Sequence, residues 1–144
     1  MFFDELSVGQ TFPIPPVTIT EEAIRSFATA YDPLPVHLDA EYAAATPFGG
    51  IIAPGVMSFM TVWAEFLRMN GWGKNFIAGK NTKIEWFAPV YAGDVLRGEA
   101  EVVALEQHKP GSGVAFIGFA VYNQHDVKVI YDLTELVLKA RPIG

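Results

Sequence analysis

Gly55-Val56-Met57-Ser58-Phe59-Met60-Thr61-Val62-Trp63-Ala64-Glu65-Phe66-Leu67-Arg68 is the stretch on which the fold turns. Val56, Phe59, Met60, Trp63, Phe66 and Leu67 recur at helical spacing, while Met57, Val62 and Ala64 make the other faces apolar as well. A helix apolar on most sides is one that the rest of its domain buries. Asn70-Gly71 should end it, since both residues accept left-handed geometry. Beyond residue 80 the pattern changes to strand. Residues 82–90, 95–105, 114–123 and 127–139 are rich in β-branched and aromatic side chains. Ala92-Gly93-Asp94, Lys109-Pro110-Gly111-Ser112-Gly113 and Asn123-Gln124-His125-Asp126 supply the turns between them. Connections this short predict antiparallel neighbours. One buried helix followed by such strands predicts an α+β domain in which an antiparallel sheet wraps a long central helix. Gly98 and Gly118 interrupt two of the strands, where they can relieve the curvature of wrapping.

Upstream of the helix, residues 13–19 are broken by prolines and fit an edge strand or an extended arm. Thr20 is a good N-cap, Glu21 and Glu22 suit the positive end of a helix, and Ile24, Phe27, Ala28 and Tyr31 keep helical spacing. Pro33 disfavours helical geometry in the residue before it, so this helix should stop near Asp32. Pro33-Leu34-Pro35-Val36 is expected to be extended, and Asp39 to cap a second short helix that ends before Pro47. Phe48-Gly49-Gly50-Ile51-Ile52-Ala53-Pro54 is a turn-rich approach to the central helix. No repeat or linker divides the 144 residues, so residues 1–144 are expected to form one domain.

Composition narrows the function. A net charge of −6 argues against a nucleic-acid binder, because neutralising phosphates takes clustered Lys and Arg. The apolar, uncharged stretch at residues 48–64 is interrupted by Gly49, Gly50, Pro54 and Gly55 and falls short of the roughly 20 apolar residues that span a bilayer. Met1-Phe2-Phe3-Asp4-Glu5 does not resemble a secretion signal, so a cytoplasmic, soluble protein without a membrane partner is expected. Cysteine is absent, which excludes disulfides, thiolate metal sites and a cysteine nucleophile. With 51% hydrophobic residues and only 18% charged, the chain is expected to bury a subunit interface, at least that of a homodimer.

Asp32 and His37 are the leading candidates for chemistry. They are separated by a segment with two prolines that stiffens the backbone, and a carboxylate with an imidazole on one rigid arm can hold a water and move a proton. On spacing alone, an Asp at a helix end and a lone His are more often structural than catalytic. Gly55 adds a second element. It opens the central helix after Ala53-Pro54, where uncommitted N–H groups and the helix dipole can receive a developing oxyanion, or where Pro54-Gly55 simply starts a helix. Ser58 does not sit in a nucleophile elbow and is read as a helix or pocket-lining residue. His37, Asp39 and Glu41 alternate as metal ligands can, but capping explains Asp39 better, and no metal site is expected. Arg68, Lys74, Lys80 and Lys83 are the charged residues between Glu65 and Glu85; they form either a solvated basic surface or contacts for an anionic phosphate. His108 and His125 fall in expected turns, and Met57, Met60 and Trp63 read as core.

Tyr31-Asp32-Pro33-Leu34-Pro35-Val36-His37-Leu38-Asp39, then Ala43-Ala44, then Phe48-Gly49-Gly50-Ile51-Ile52-Ala53-Pro54-Gly55, resembles the signature of MaoC-like dehydratases, close to the (R)-specific enoyl-CoA hydratases. Phe87-Ala88-Pro89-Val90-Tyr91-Ala92-Gly93-Asp94-Val95-Leu96 is similar to the strand and turn found downstream in that family. The resemblance implies a hot-dog fold and the reversible addition of water across the double bond of a trans-2-enoyl-CoA. It implies that Asp32 and His37 share a water, delivering hydroxide to the β-carbon and a proton to the α-carbon. The Gly55 N–H would bind the thioester oxygen, with Pro54 and Ser58 beside the substrate. Coenzyme A would enter as the thioester substrate, with no further cofactor, and Arg68, Lys74, Lys80 and Lys83 are candidates for its phosphates. It also implies domains paired edge to edge, with the acyl-CoA tunnel between subunits. Two positions depart from the strict hydratase form: Leu34 stands in place of an asparagine and Pro54 in place of a histidine. These departures motivate an alternative, a non-catalytic acyl-CoA-binding subunit. A hot-dog thioesterase, which places its carboxylate on or near the central helix, would have only Glu65 there.

Overall fold

The computed structural model describes residues 1–69 and 71–142. Its elements run β1 (Thr11–Thr18), α1 (Glu21–Tyr31), α2 (Pro35–Leu38), α3 (Ala40–Ala44), α4 (Gly55–Arg68), β2 (Phe76–Trp86), β3 (Val95–Lys109), β4 (Ser112–Tyr122) and β5 (Lys128–Lys139). Thr20 caps α1 by accepting the Ala23 N–H at 3.1 Å. Asp32 leaves the helix at φ −153°, as the proline after it requires. The segment expected to be extended is only partly so. Pro35 occupies the first position of the one-turn helix α2, where its missing N–H is no loss and its fixed φ is already helical. Asp39 caps α3 by accepting the Tyr42 N–H at 3.0 Å.

The five strands form one antiparallel sheet in the order β1-β3-β4-β5-β2. Pro15 and Pro16 of the edge strand β1 fall in the bulge between Ile14 and Val17, where the ladder makes no demand on an N–H. The expectation that β2 and β3 are hairpin neighbours is overturned: β2 pairs with β5 at the opposite edge. The physical reason lies in residues 87–94. The Ala53 N–H donates to the Val90 carbonyl at 2.7 Å and the Ala92 N–H to that of Ile51 at 3.2 Å, so this crossing is tied to the entry of α4 instead of closing a hairpin. β2 also starts at Phe76, earlier than its composition suggests, because pairing with β5 overrides the weak strand propensity of Ala78-Gly79-Lys80-Asn81. It ends at Trp86, short of Pro89. His108 lies within β3, not in the turn, while His125 is in the β4–β5 turn as expected. Gly98 answers to a closer constraint than curvature, since a Cβ there would lie 2.2 Å from the Ala120 carbonyl oxygen on β4.

Helix α4 lies in the curve of the sheet and buries Met57, Ser58, Phe59, Val62 and Phe66. Phe66 anchors it: its ring is 4.9 Å from Phe119 of β4 in an edge arrangement and 4.7 Å from buried Trp72. Such pairs add about 0.5–1.5 kcal/mol each beyond the area they bury. The helix is not enclosed, however. Val56 and Met60 are 49% and 47% exposed, because one sheet covers only one side of a helix. The aromatic anchor sits toward the C-terminal end of α4, and its N-terminus faces the segment that carries Asp32 and His37. Among the described residues no helix is long and apolar enough to cross a membrane.

Candidate active site

His37 comes from α2 and is 6% exposed, held against the approach to α4. Its Nδ1 lies 2.6 Å from the Ile52 carbonyl oxygen. A carbonyl only accepts, so Nδ1 carries a hydrogen and the imidazole presents Nε2 to the cavity. Nε2 stands 3.3 Å from Asp32 Oδ2, and the aspartate side chain keeps 39% exposure. The two prolines explain the geometry. Pro33 ends α1 at Asp32, Pro35 starts the turn of α2, and that turn brings His37 back over the carboxylate.

Asp32 and His37 open onto a cavity of about 790 Å³ that is also lined by Pro54, Gly55, Ser58 and the aromatic side chains of Phe27, Tyr31, Phe48, Trp86 and Phe87. A volume of this order accommodates a drug-sized ligand. Gly55 is the first residue of α4, so its N–H has no partner within the helix. Its lack of a side chain is required, because a Cβ there would lie 2.5 Å from the Trp86 ring. Ser58 is fully buried, and its hydroxyl donates to the Pro54 carbonyl at 3.4 Å, which makes it a wall residue with its hydrogen committed. The cavity thus sets an acid/base pair facing a helix N-terminus, with an apolar lining between them.

Asp32, His37, Pro54, Gly55 and Ser58 are brought together as one site. Arg68, Lys74, Lys80 and Lys83 do not line it. Arg68 lies at the far end of α4, about 20 Å from Gly55, and is paired with Glu65 at 2.8 Å. That pairing also occupies the carboxylate that a thioesterase reading would need. Lys74 follows α4, and Lys80 and Lys83 are exposed on β2. Lys128 stands closer, its Nζ 5.3 Å from the centre of the Phe87 ring. Sequence reasoning missed Trp86 and Phe87 as site residues because both read as ordinary strand positions. The available signal was Pro89, which cannot donate to a ladder and so marks residues 87–94 as something other than a continuing strand.

Three comparisons bear on this architecture. Protein YdeM of Bacillus subtilis, itself uncharacterized, is 29% identical over 140 residues, covering 96% of this chain and 99% of its own length. The 3-hydroxyacyl-thioester dehydratase Z of Mycobacterium tuberculosis is 33% identical over 109 residues, covering 73% of this chain and 72% of that protein. The solved structure of R-hydratase PhaJ1 from Pseudomonas aeruginosa superposes with a TM-score of 0.79 at 28% identity, covering 99% of this chain and 92% of the other. The wrapped helix is the hot-dog fold, also seen in a Mycobacterium tuberculosis protein with two such units. The family model described as MaoC like domain matches residues 5–117, and the chain belongs to that family.

Proposed function

We propose that this protein adds water to, or removes it from, a trans-2-enoyl thioester of coenzyme A. The observation that carries the reading is the 3.3 Å pairing of Asp32 Oδ2 with His37 Nε2 inside a cavity that also contains the N-terminus of α4. With Nδ1–H donating to Ile52, Nε2 is free to take one proton from water, while Asp32 accepts a hydrogen bond from the other, which stays on the oxygen. The water oxygen then attacks the β-carbon. The negative charge moves to the thioester oxygen, which the Gly55 N–H and the helix dipole stabilise, and the pair returns a proton to the α-carbon. One water is consumed and no redox partner is needed. Relatives named dehydratase and hydratase support the same class of reaction.

The acyl chain lies along the apolar wall of Phe27, Phe48 and Trp86 in this proposal, and the coenzyme leaves over Phe87, where Lys128 offers a cation to its phosphates. A second copy of the chain pairs along β2 and closes the open side of α4. The test is a panel of enoyl-CoA thioesters differing in length and branching, followed by loss of the conjugated-thioester absorbance. Turnover of at least one member supports the reading, and none across the panel contradicts it.

A further inference from the structure

Trp86 ends β2, paired with Ile130 of β5, so the sheet fixes its backbone. From there its indole reaches the first residue of α4. A Cβ built on Gly55 would lie 2.5 Å from Cε2 and 2.6 Å from Nε1 of this ring. The nitrogen-bearing edge of the indole therefore stands directly against Gly55, at the end of the helix where N–H groups are uncommitted. Trp86 lines the same cavity as Asp32 and His37 and is 49% exposed in the isolated chain. An indole N–H donates and never accepts. Among the described residues it has no protein acceptor, and the neighbouring carbonyls are engaged. Ile52 O faces His37 Nδ1, while Pro54 O takes both the N–H and the hydroxyl of Ser58.

We propose that the Trp86 Nε1–H is a second donor, with the Gly55 N–H, to the thioester oxygen of the substrate. The inference rests on the hydration reading above and assigns to that site a catalytic residue beyond the Asp32–His37 pair. The indole keeps its hydrogen throughout. It strengthens its bond as hydroxide addition pushes charge onto the oxygen, and relaxes when the proton reaches the α-carbon. A donor that gains most at the charged stage lowers the barrier more than it tightens ground-state binding, so its signature is in kcat and not KM.

Trp86→Phe keeps an aromatic ring against Gly55 and deletes only the donor and part of the indole. Its kcat on a trans-2-enoyl thioester accepted by the wild type should fall on the order of 100-fold, with KM little changed. In nitrogen-labelled wild-type protein the three tryptophans, Trp63, Trp72 and Trp86, each contribute one indole N–H, and single Trp→Phe variants assign them. The one in contact with Gly55 should shift downfield on titration with a saturated acyl-CoA thioester, which binds without being hydrated. Unchanged kcat, a change in KM alone, or an unmoved Trp86 resonance at saturation overturns the assignment. Should the phenylalanine variant fail to fold, the wild-type titration decides alone. Wild-type turnover with an unaffected Trp86→Phe removes Trp86 and leaves hydration standing, whereas no wild-type turnover on any enoyl thioester removes both.

Discussion

Asp32 and His37 are held differently, and the difference assigns their sensitivities. His37 is buried with Nδ1 committed to Ile52, so His37→Ala removes the proposed proton acceptor and leaves a void at the cavity wall. Asp32→Asn keeps shape and removes charge. Each should lower hydration on the order of 100-fold or more while the protein stays folded, read from steady-state rates and circular dichroism. Near wild-type turnover in either would contradict the assignment. That the two side chains meet was legible in the sequence, because two prolines mark the arm that carries them. Asp132 was not, since an acid within a strand pattern reads as a solvent-facing position. It is fully buried, and the side-chain oxygens of Asp132, Thr82 and Thr134 are in mutual contact. Three contacts in a closed ring need three hydrogens, and two hydroxyls supply only two, so the ring closes when the carboxyl is protonated. Burial pushes the Asp132 carboxyl above its usual range, against the opposing pull of the Thr134 and Thr82 hydroxyls. A raised acid in the folded state binds its proton where the unfolded chain has already released it. This contribution is therefore fully present below the ordinary aspartate range and is lost as pH rises to the raised native value. Asp132→Asn should flatten that part of the profile in urea unfolding at a series of pH values. An unchanged slope would show that Asp132 titrates normally.

At the scale of elements, α4 was legible because its apolar residues outnumber what one face can use, and the aromatic spacing that marks it also anchors it. Phe66 is fully buried and faces Phe12, Trp63, Trp72 and Phe119. Phe66→Ala should cost about 3–5 kcal/mol, seen as a lower denaturant midpoint at constant m. A loss below about 1 kcal/mol would mean that the cluster refills the space. The place of β2 was not legible. Hydrophobic period and turn residues report which segments are strands, not which edge each one joins. Here a few backbone bonds between residues 87–94 and the entry of α4 carry β2 away from β3. That misplacement matters for the site, because the same crossing delivers Trp86 and Phe87 to the cavity.

At the scale of the molecule, β2 is an eleven-residue edge strand exposed along nearly its whole length, with Val56 and Met60 of α4 open beside it. A long free edge with apolar surface next to it is a pairing surface. The apolar excess in the composition raised the expectation of an interface, and the proposal puts it along β2. Light scattering across a dilution series should give a dimer, and a charge placed at Met60 should shift that equilibrium toward monomer. A monomer at every concentration would refute the pairing along β2. The central claim, that the Asp32–His37 pair adds water to an enoyl thioester, is tested most directly in water enriched in heavy oxygen. Wild-type protein, a trans-2-enoyl-CoA and mass analysis of the products are sufficient. The account predicts one heavy oxygen on the β-carbon of an intact 3-hydroxyacyl thioester, and loss of that incorporation in Asp32→Asn. Heavy oxygen only in a free carboxylic acid, or none in any product, would contradict it.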